Sequence, residues 1–185
     1  NVTSFDTSKV TNMGWMFYQC SQLEKLDVSS FDTLQVQTMQ SMFQGCSHLD
    51  SLDLSNFDTS NVTNMAGIFL GCTSLNYLNV SSFNTSKVTT MQSMFQGLSA
   101  LKEIDLSDFD TSNVTNMATM FYECNQLKIL DLTSFDVSKV TNMSGMFQQC
   151  SGLTEILVSN KWVINSSTNI TDMFTDASIS SVTVV

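Results

Sequence analysis

Residues 109–134 have the sequence FDTSNVTNMATMFYECNQLKILDLTS, and the same pattern begins again at Phe135. The pattern repeats without a gap, because phenylalanine recurs every 26 residues at Phe5, Phe31, Phe57, Phe83, Phe109 and Phe135. A seventh, degenerate unit follows a one-residue insertion near residues 159–161, and Trp162 takes the place of phenylalanine there. A fixed period of this size is typical of repeat proteins, whose units bury their apolar faces against one another.

The large apolar residues fall into fixed columns of this repeat. The 13 phenylalanines occupy two columns, the 12 methionines two more, and the five cysteines one, formed by Cys20, Cys46, Cys72, Cys124 and Cys150. Leu98 takes the cysteine position in the fourth unit. An odd number of cysteines in one apolar column favours buried free thiols over disulfides or a zinc site.

Each unit divides into a predicted helix, a predicted strand and a turn. Apolar residues at i, i+3, i+4 and i+7 predict one face of a short helix, which in the first unit comprises Met13, Met16, Phe17 and Cys20. Thr11 or Asn12 is expected to cap it. The L-x-x-L-x-L spacing that follows predicts a strand, and F-D-T-S predicts a turn closed by its own polar side chains.

The predicted fold is therefore an α/β repeat solenoid of the leucine-rich-repeat type. About seven coils of 26 residues would place a parallel sheet on one face and short helices on another. Residues 1–185 are predicted to form a single domain. Asn1 aligns with Asp27, so the chain opens inside an incomplete unit, and we expect it to be part of a longer surface protein.

Composition excludes several classes of partner. The chain carries 17 carboxylates against seven lysines and no arginine, with a net charge of −10. Nucleic acid and anionic lipid both require a basic face, so neither is an expected partner. No apolar run is long enough for membrane insertion, and no motif indicates a cofactor.

The repeat resembles the BspA-like leucine-rich repeat surface proteins, in particular the branch found in mycoplasma lipoproteins and Gram-positive surface proteins. Residues 110–117 (DTSNVTNM) and 146–150 (MFQQC) carry the resemblance, which covers nearly the whole chain. It implies an extracellular, cell-surface location with an anchor outside these residues. It also implies adhesion to host matrix, mucus or other cells, but the family supplies no motif for a ligand site.

Two aspartate columns raise the question of calcium. One contains Asp27, Asp53, Asp105 and Asp131 with Asn79, and the other contains Asp6, Asp32, Asp58, Asp110 and Asp136 with Asn84. Stacked carboxylates repel one another, and calcium held between units would relieve that repulsion. Alternatively, the second column caps the F-D-T-S turn and the first lies in solvent. Asn79 interrupts the first aspartate column and Asn84 interrupts the second, so no metal site is predicted.

The column two residues before the first aspartate column varies while its neighbours hardly change. It contains Lys25, Ser51, Tyr77, Glu103, Ile129 and Glu155, and we predict that it binds ligand together with Asp27, Asp53, Asp105 and Asp131. Neutral sequence variation at exposed positions without a binding role would produce the same pattern. A second candidate surface on the predicted helix side contains Trp15, Tyr18, Leu70 and Tyr122.

The sequence gives little support to an enzyme. The single histidine, His48, lies in a turn of the repeat, and six units have no insertion that would build a pocket. The predicted function is a non-enzymatic binding module that recognises a host or cell-surface protein or glycan. The alternatives are a structural spacer that presents another domain, and a calcium-dependent glycan or matrix binder that uses the aspartate columns.

Overall fold

The computed structural model describes residues 2–185, and Asn1 lies outside the described part of the chain. The units run side by side and parallel. One residue of each unit forms a parallel bridge with its equivalent in the next unit, and this column comprises Asn12, Thr38, Asn64, Thr90, Asn116, Asn142 and Asn169. Because the bridges connect equivalent positions, every unit stacks on its neighbour in the same register.

Five short strands lie on another side of the stack. They are β1 (Ser51–Asp53), β2 (Tyr77–Asn79), β3 (Ile129–Leu132), β4 (Glu155–Val158) and β5 (Thr183–Val184). β1 pairs with β2 in one parallel sheet, and β3, β4 and β5 form a second parallel sheet in that order. The sequence predicted one sheet, but residues 102–106 of unit 4 form no strand and separate the two.

The predicted short helices are wrong, because residues 2–185 contain no helix. An α-helix needs each N–H to bond the carbonyl four residues back. In unit 2 the N–H groups of Ser41 and Phe43 instead donate to carbonyls of the next unit, those of Ala66 and Ile68, at 2.9 Å each. The intervening Met42 closes a tighter turn onto the carbonyl three residues back, at 3.1 Å.

Left-handed backbone at two positions of each unit, four residues apart, also excludes a helix. The first position comprises Trp15, Ser41, Gly67, Ser93, Thr119, Gly145 and Asp172, and the second comprises Gln19, Gly45, Gly71, Gly97, Glu123, Gln149 and Asp176. Left-handed residues occur singly and interrupt right-handed helices. The units thus consist of successive turns and short strands, and the predicted α/β solenoid of the leucine-rich-repeat type is not the fold of this chain.

The core is built from ladders of identical side chains. Phe17, Phe43, Phe69, Phe95, Phe121, Phe147 and Phe174 stack in sequence with ring centroids 5.4–5.9 Å apart. The second phenylalanine column is spaced at 6.4–6.5 Å where its rings stack. Offset stacking of aromatic rings adds to the free energy gained by burying their area. The degenerate unit joins this core through Trp162, whose ring is tilted against Phe147 at 6.5 Å.

A column of buried threonines joins the F-D-T-S turns of adjacent units. The Thr33 hydroxyl donates to the Asp58 carbonyl at 2.9 Å and accepts the Asp58 N–H at 2.8 Å. Thr111 makes the same pair of bonds to Asp136, at 2.9 and 2.8 Å. Each hydroxyl thus makes two hydrogen bonds to the backbone of the next unit. The sequence predicted a polar turn here and missed the burial of these side chains.

Candidate functional site

The candidate binding surface is the side of the stack that carries the five strands. We define the strand face as residues 24–27, 50–53, 76–79, 102–105, 128–131 and 154–157. Side chains alternate along each strand, so one residue packs into the core and the next points outward. Leu52 and Leu130 are buried, whereas Tyr77 is 52% exposed and Ile129 is 56% exposed. Large apolar side chains are thereby displayed on a rigid frame.

The structure exposes nearly all of the residues that the sequence nominated for binding. Lys25, Ser51, Tyr77, Glu103, Ile129, Asp27, Asp53, Asp105 and Asp131 are exposed, and Glu155 is half-buried. Sheet register aligns Ser51 with Tyr77 and Ile129 with Glu155. The nominated residues do not form one continuous stripe, because unit 4 interrupts the sheet between Tyr77 and Ile129.

A groove at this interruption brings together three of the nominated residues. It has a volume of about 490 Å³ and lies between residues 76–81 of unit 3 and residues 103–105 of unit 4. Tyr77, Glu103 and Asp105 line it. Two further depressions of about 550 and 360 Å³ lie around Lys25, Asp27 and Ser51 near the first unit. Ile129, Asp131 and Glu155 lie on β3 and β4, outside all three.

The carboxylates of the strand face are held in turns. The Asp105 carboxylate accepts the Ser107 N–H at 3.0 Å, and Asp27, Asp53 and Asp131 accept the N–H two residues ahead in the same way. The Ser107 amide and hydroxyl lower the pKa of Asp105, and Ser55 does the same for Asp53. Hydrogen bonds to the charged form of a carboxylate favour that form, so Asp105 and Asp53 are held in the charged form.

The second aspartate column has the same geometry at the F-D-T-S turn. Asp58, Asp110 and Asp136 accept the N–H groups of Ser60, Ser112 and Ser138 at 2.9 Å, and Asn84 makes the equivalent contact to Ser86 at 3.1 Å. The side-chain and backbone bonds to these serines lower the pKa of each of the three aspartates. Both columns are thus built as turn caps.

Comparison with known families identifies the chain by its repeat. A family model described as "Mycoplasma protein of unknown function, DUF285" matches residues 1–79 and 69–183. The chain belongs to the DUF285 family. Together the two matches span nearly the whole repeat array of this family member. No curated protein matches the chain.

The residues that could hold a metal are dispersed along the stack. Residues 2–185 contain no group of three or more histidine, cysteine, aspartate or glutamate side chains placed to bind one ion. One oxygen of each carboxylate described above is already bonded to a turn amide. A calcium ion would have to compete with these bonds for its oxygen ligands.

We predict that calcium does not stabilise the fold. Melting temperatures in EDTA and in millimolar calcium are expected to agree within a few degrees, because a ligand stabilises only by binding the folded state more tightly. Differential scanning calorimetry measures this directly, with magnesium at the same ionic strength as the control. A rise that is specific to calcium would contradict the prediction and revive the calcium-dependent alternative.

His48 contacts groups that lack the arrangement of a catalytic triad. Its Nδ1 lies 2.6 Å from the Ser21 carbonyl oxygen and 3.4 Å from the Ser47 hydroxyl. A backbone carbonyl from the previous unit thus fixes the ring.

On the predicted helix side, which consists of turns, Trp15 and Tyr18 are exposed while Leu70 and Tyr122 are half-buried. Residues 2–185 contain no helix, and hence no helix long and apolar enough to cross a bilayer.

The sequence did not predict the groove between units 3 and 4, and a departure from the repeat in unit 4 was overlooked. A side chain of unit 3 donates across to unit 2, from the Ser82 hydroxyl to the Leu54 carbonyl at 2.9 Å, and Ser134 donates to Leu106 at 3.0 Å. Unit 4 has Asp108 at this position, and an ionised carboxylate has no hydrogen to donate. Comparing the units at this column would have revealed the departure.

Proposed function

We propose that this chain is a non-enzymatic binding module of a microbial cell-surface protein of the BspA-like type. In this proposal the strand face holds a host or cell-surface protein or glycan in the extracellular space. The observation that carries the proposal is the exposure of Tyr77 and Ile129 on strands whose next residues, Leu78 and Leu130, are buried in the core. Exposed aromatic and aliphatic side chains on a rigid sheet serve as anchors in protein interfaces.

The charge distribution of the strand face supports the same function. Its acidic residues are Glu24, Asp27, Asp50, Asp53, Glu103, Asp105, Asp131 and Glu155, and its basic residues are Lys25, Lys102 and Lys128. Such a surface attracts basic partners and repels acidic ones, which accelerates association and improves specificity more than it raises affinity. A surface that combines exposed apolar side chains with acidic residues therefore favours a binding module over a spacer whose surface has no binding role.

A structural spacer is the second candidate, and the regular stacking of the units favours it. Hydrogen bonds join equivalent positions of neighbouring units along the array, as from the Thr115 N–H to the Thr89 carbonyl at 2.9 Å. An array held in this way is stiff and could hold another domain at a distance. A spacer needs no exposed anchors, so substitution of the anchors separates the two functions.

We expect the double variant Tyr77→Ala with Ile129→Ala to bind ligand at least about tenfold more weakly, because each anchor removed contributes roughly 1 kcal/mol or more. The measurement is retention of the 185-residue chain on immobilised mucin and on fibrillar collagen. Both side chains are exposed, so the melting temperature should change little.

The matched control is Leu34→Ala, since Leu34 is 48% exposed but lies in a turn away from the strand face. It should bind like the wild-type chain. If the wild-type chain binds neither probe, the result favours the spacer. If the double variant binds as well as wild type, recognition does not use the strand face.

A further inference from the structure

The turns around the bridge column form a second accessible surface, which we call the turn face. It consists of the residues of units 1–6 that are exposed or half-buried within the ranges 11–21, 37–47, 63–73, 89–99, 115–125 and 141–151. The chain has seven lysines and 17 carboxylates, yet only Glu123 among them lies in these ranges. Most side chains of the turn face are asparagine, glutamine, serine or threonine. The turn face is therefore polar but almost uncharged, in contrast to the acidic strand face.

One column of the turn face alternates between apolar and amide side chains. Its six members, one from each unit, are Tyr18, Gln44, Leu70, Gln96, Tyr122 and Gln148. Tyr18 is 46% exposed, and the other five are half-buried. Units joined by backbone hydrogen bonds lie about 5 Å apart, so the apolar members recur about every 10 Å. The surface therefore repeats every two units, although the fold repeats every unit.

A second column has the same two-unit repeat and fixes amide groups beside the first. The Asn64 side chain donates to Gln40 Oε1 at 3.2 Å, and the Asn116 side chain donates to Gln92 Oε1 at 3.1 Å. Each asparagine oxygen in turn accepts the backbone N–H two residues ahead, at 2.9 and 3.0 Å. These bonds orient each glutamine so that its NH2 group, with two hydrogens to donate, can meet a ligand.

We propose that the turn face binds a neutral β-1,4-linked polysaccharide that lies along the stack. This proposal goes beyond the strand-face function, because it uses a different surface and different residues. In an extended β-1,4-linked chain every second sugar presents the same face, and this disaccharide repeat is similar in length to two units of the stack. The C–H faces of alternate sugars would pack on Tyr18, Leu70 and Tyr122, and their hydroxyls would bond the glutamine amides.

The absence of charge separates this ligand from other polymers. A basic protein or a sulfated polysaccharide would find no complementary charge on a surface with a single carboxylate. Neutral sugars lose no electrostatic attraction there, since their recognition depends on hydrogen bonds and on packing against apolar rings. The exposed Trp15, three residues before Tyr18, adds a second ring at the first unit.

The ligand test compares two glucose hexamers that differ only in linkage, by titration calorimetry and by the amide NMR signals of the 185-residue chain. Cellohexaose is β-1,4-linked and extended, whereas maltohexaose is α-1,4-linked and curved. We expect cellohexaose at millimolar concentration to shift residues 14–19, 66–71 and 118–123, and maltohexaose to bind at least about tenfold more weakly. Cellobiose reaches only one apolar member at a time, so it should also bind at least about tenfold more weakly. Chitohexaose, the N-acetylated β-1,4-linked hexamer, shows which substituent the face prefers.

The three tyrosines of the chain supply matched variants. Tyr18→Ala with Tyr122→Ala should weaken cellohexaose binding at least about tenfold, because both aromatic members of the column are lost. Tyr77→Ala removes the third tyrosine, which lies on the strand face, and should leave cellohexaose binding unchanged. Tyr18→Ala alone, at an exposed position, should weaken binding at least about threefold without lowering the melting temperature. It keeps the test decisive if Tyr122→Ala destabilises the fold.

Three results would overturn the proposal. They are no binding of either cellohexaose or chitohexaose at millimolar concentration, equal binding of cellohexaose and maltohexaose, and binding that Tyr18→Ala leaves unchanged. Loss of cellohexaose binding on Tyr77→Ala would also overturn it, by assigning the glycan to the strand face. Retention of mucin or collagen through Tyr77 and Ile129 tests the strand face independently, so the two proposals can fail separately.

Discussion

In the folded chain, one of the five thiols should react with Ellman's reagent within minutes, and the other four at least about 100-fold more slowly. Cys20 is exposed, whereas Cys46, Cys72, Cys124 and Cys150 are buried. The buried thiols donate to phenylalanine carbonyls of the preceding unit, as from Cys46 Sγ to the Phe17 oxygen at 3.2 Å. These four thiols react slowly for two reasons: the reagent cannot reach them, and they remain in the unreactive protonated form.

The second reason is that burial disfavours the charged thiolate form of these cysteines. Burial raises the pKa of the Cys46 and Cys150 thiols to about 11 and that of Cys72 to about 12. Burial likewise raises the pKa of Cys124. Since the thiolate is the reactive form, near pH 8 about one in a thousand of the Cys46 and Cys150 thiols, and fewer of the Cys72 thiols, would be ionised even if the reagent could reach them.

Stopped-flow and manual mixing measure the two phases, and unfolding in guanidinium should release all five thiols without a reductant. Cys20→Ser is the matched variant, and it should abolish the fast phase alone. Two or more fast thiols in the folded chain would contradict the buried column. Fewer than five thiols in the unfolded chain would indicate disulfides.

The sequence identified which side chains face the core, because burial depends on the spacing of apolar residues. Met39, Met42, Phe43 and Cys46 are each 0% exposed, as their spacing of three and four residues indicates. The same spacing arises from successive turns, so it could not distinguish a helix from the observed backbone. The distinguishing property is whether each N–H bonds within its own unit or to the next one.

One signal for the turns was present in the sequence. Gly45, Gly71 and Gly97 share one column, and Gly67 and Gly145 share the column four residues earlier. Recurrent glycine in a presumed helix is unfavourable and indicates left-handed backbone. The signal is diluted because other units place larger residues there, including the β-branched Thr119 at a φ of 53°.

The candidate site was predicted in part for a related reason. Alternation along a strand locates outward side chains, so the exposure of Tyr77 and Ile129 follows from the pattern. The repeat consensus does not show which neighbouring strands pair, because β1 pairs with β2 whereas the equivalent residues 102–106 form no strand.

The buried threonines provide the largest expected change in stability. Thr111→Val should lower the melting temperature by roughly 5–10 °C, since valine keeps the shape but leaves the Asp136 N–H and C=O without their partner. Thr111 is 0% exposed, so water has no direct access to replace the hydroxyl. Thr111→Ser keeps the hydroxyl and should lose less.

The matched control for this variant lies four residues away. The Thr115 hydroxyl donates to the Thr89 carbonyl at 3.1 Å, but Thr115 is exposed, so water can substitute and Thr115→Val should change stability little. Val137 occupies the threonine position in unit 6, where the next unit carries the insertion and the Val137 N–H donates to the Lys161 carbonyl at 3.4 Å. Loss of the hydroxyl there accompanies a change of register. Equal melting temperatures for Thr111→Val and Thr115→Val would show that the buried hydroxyls do not hold the units together.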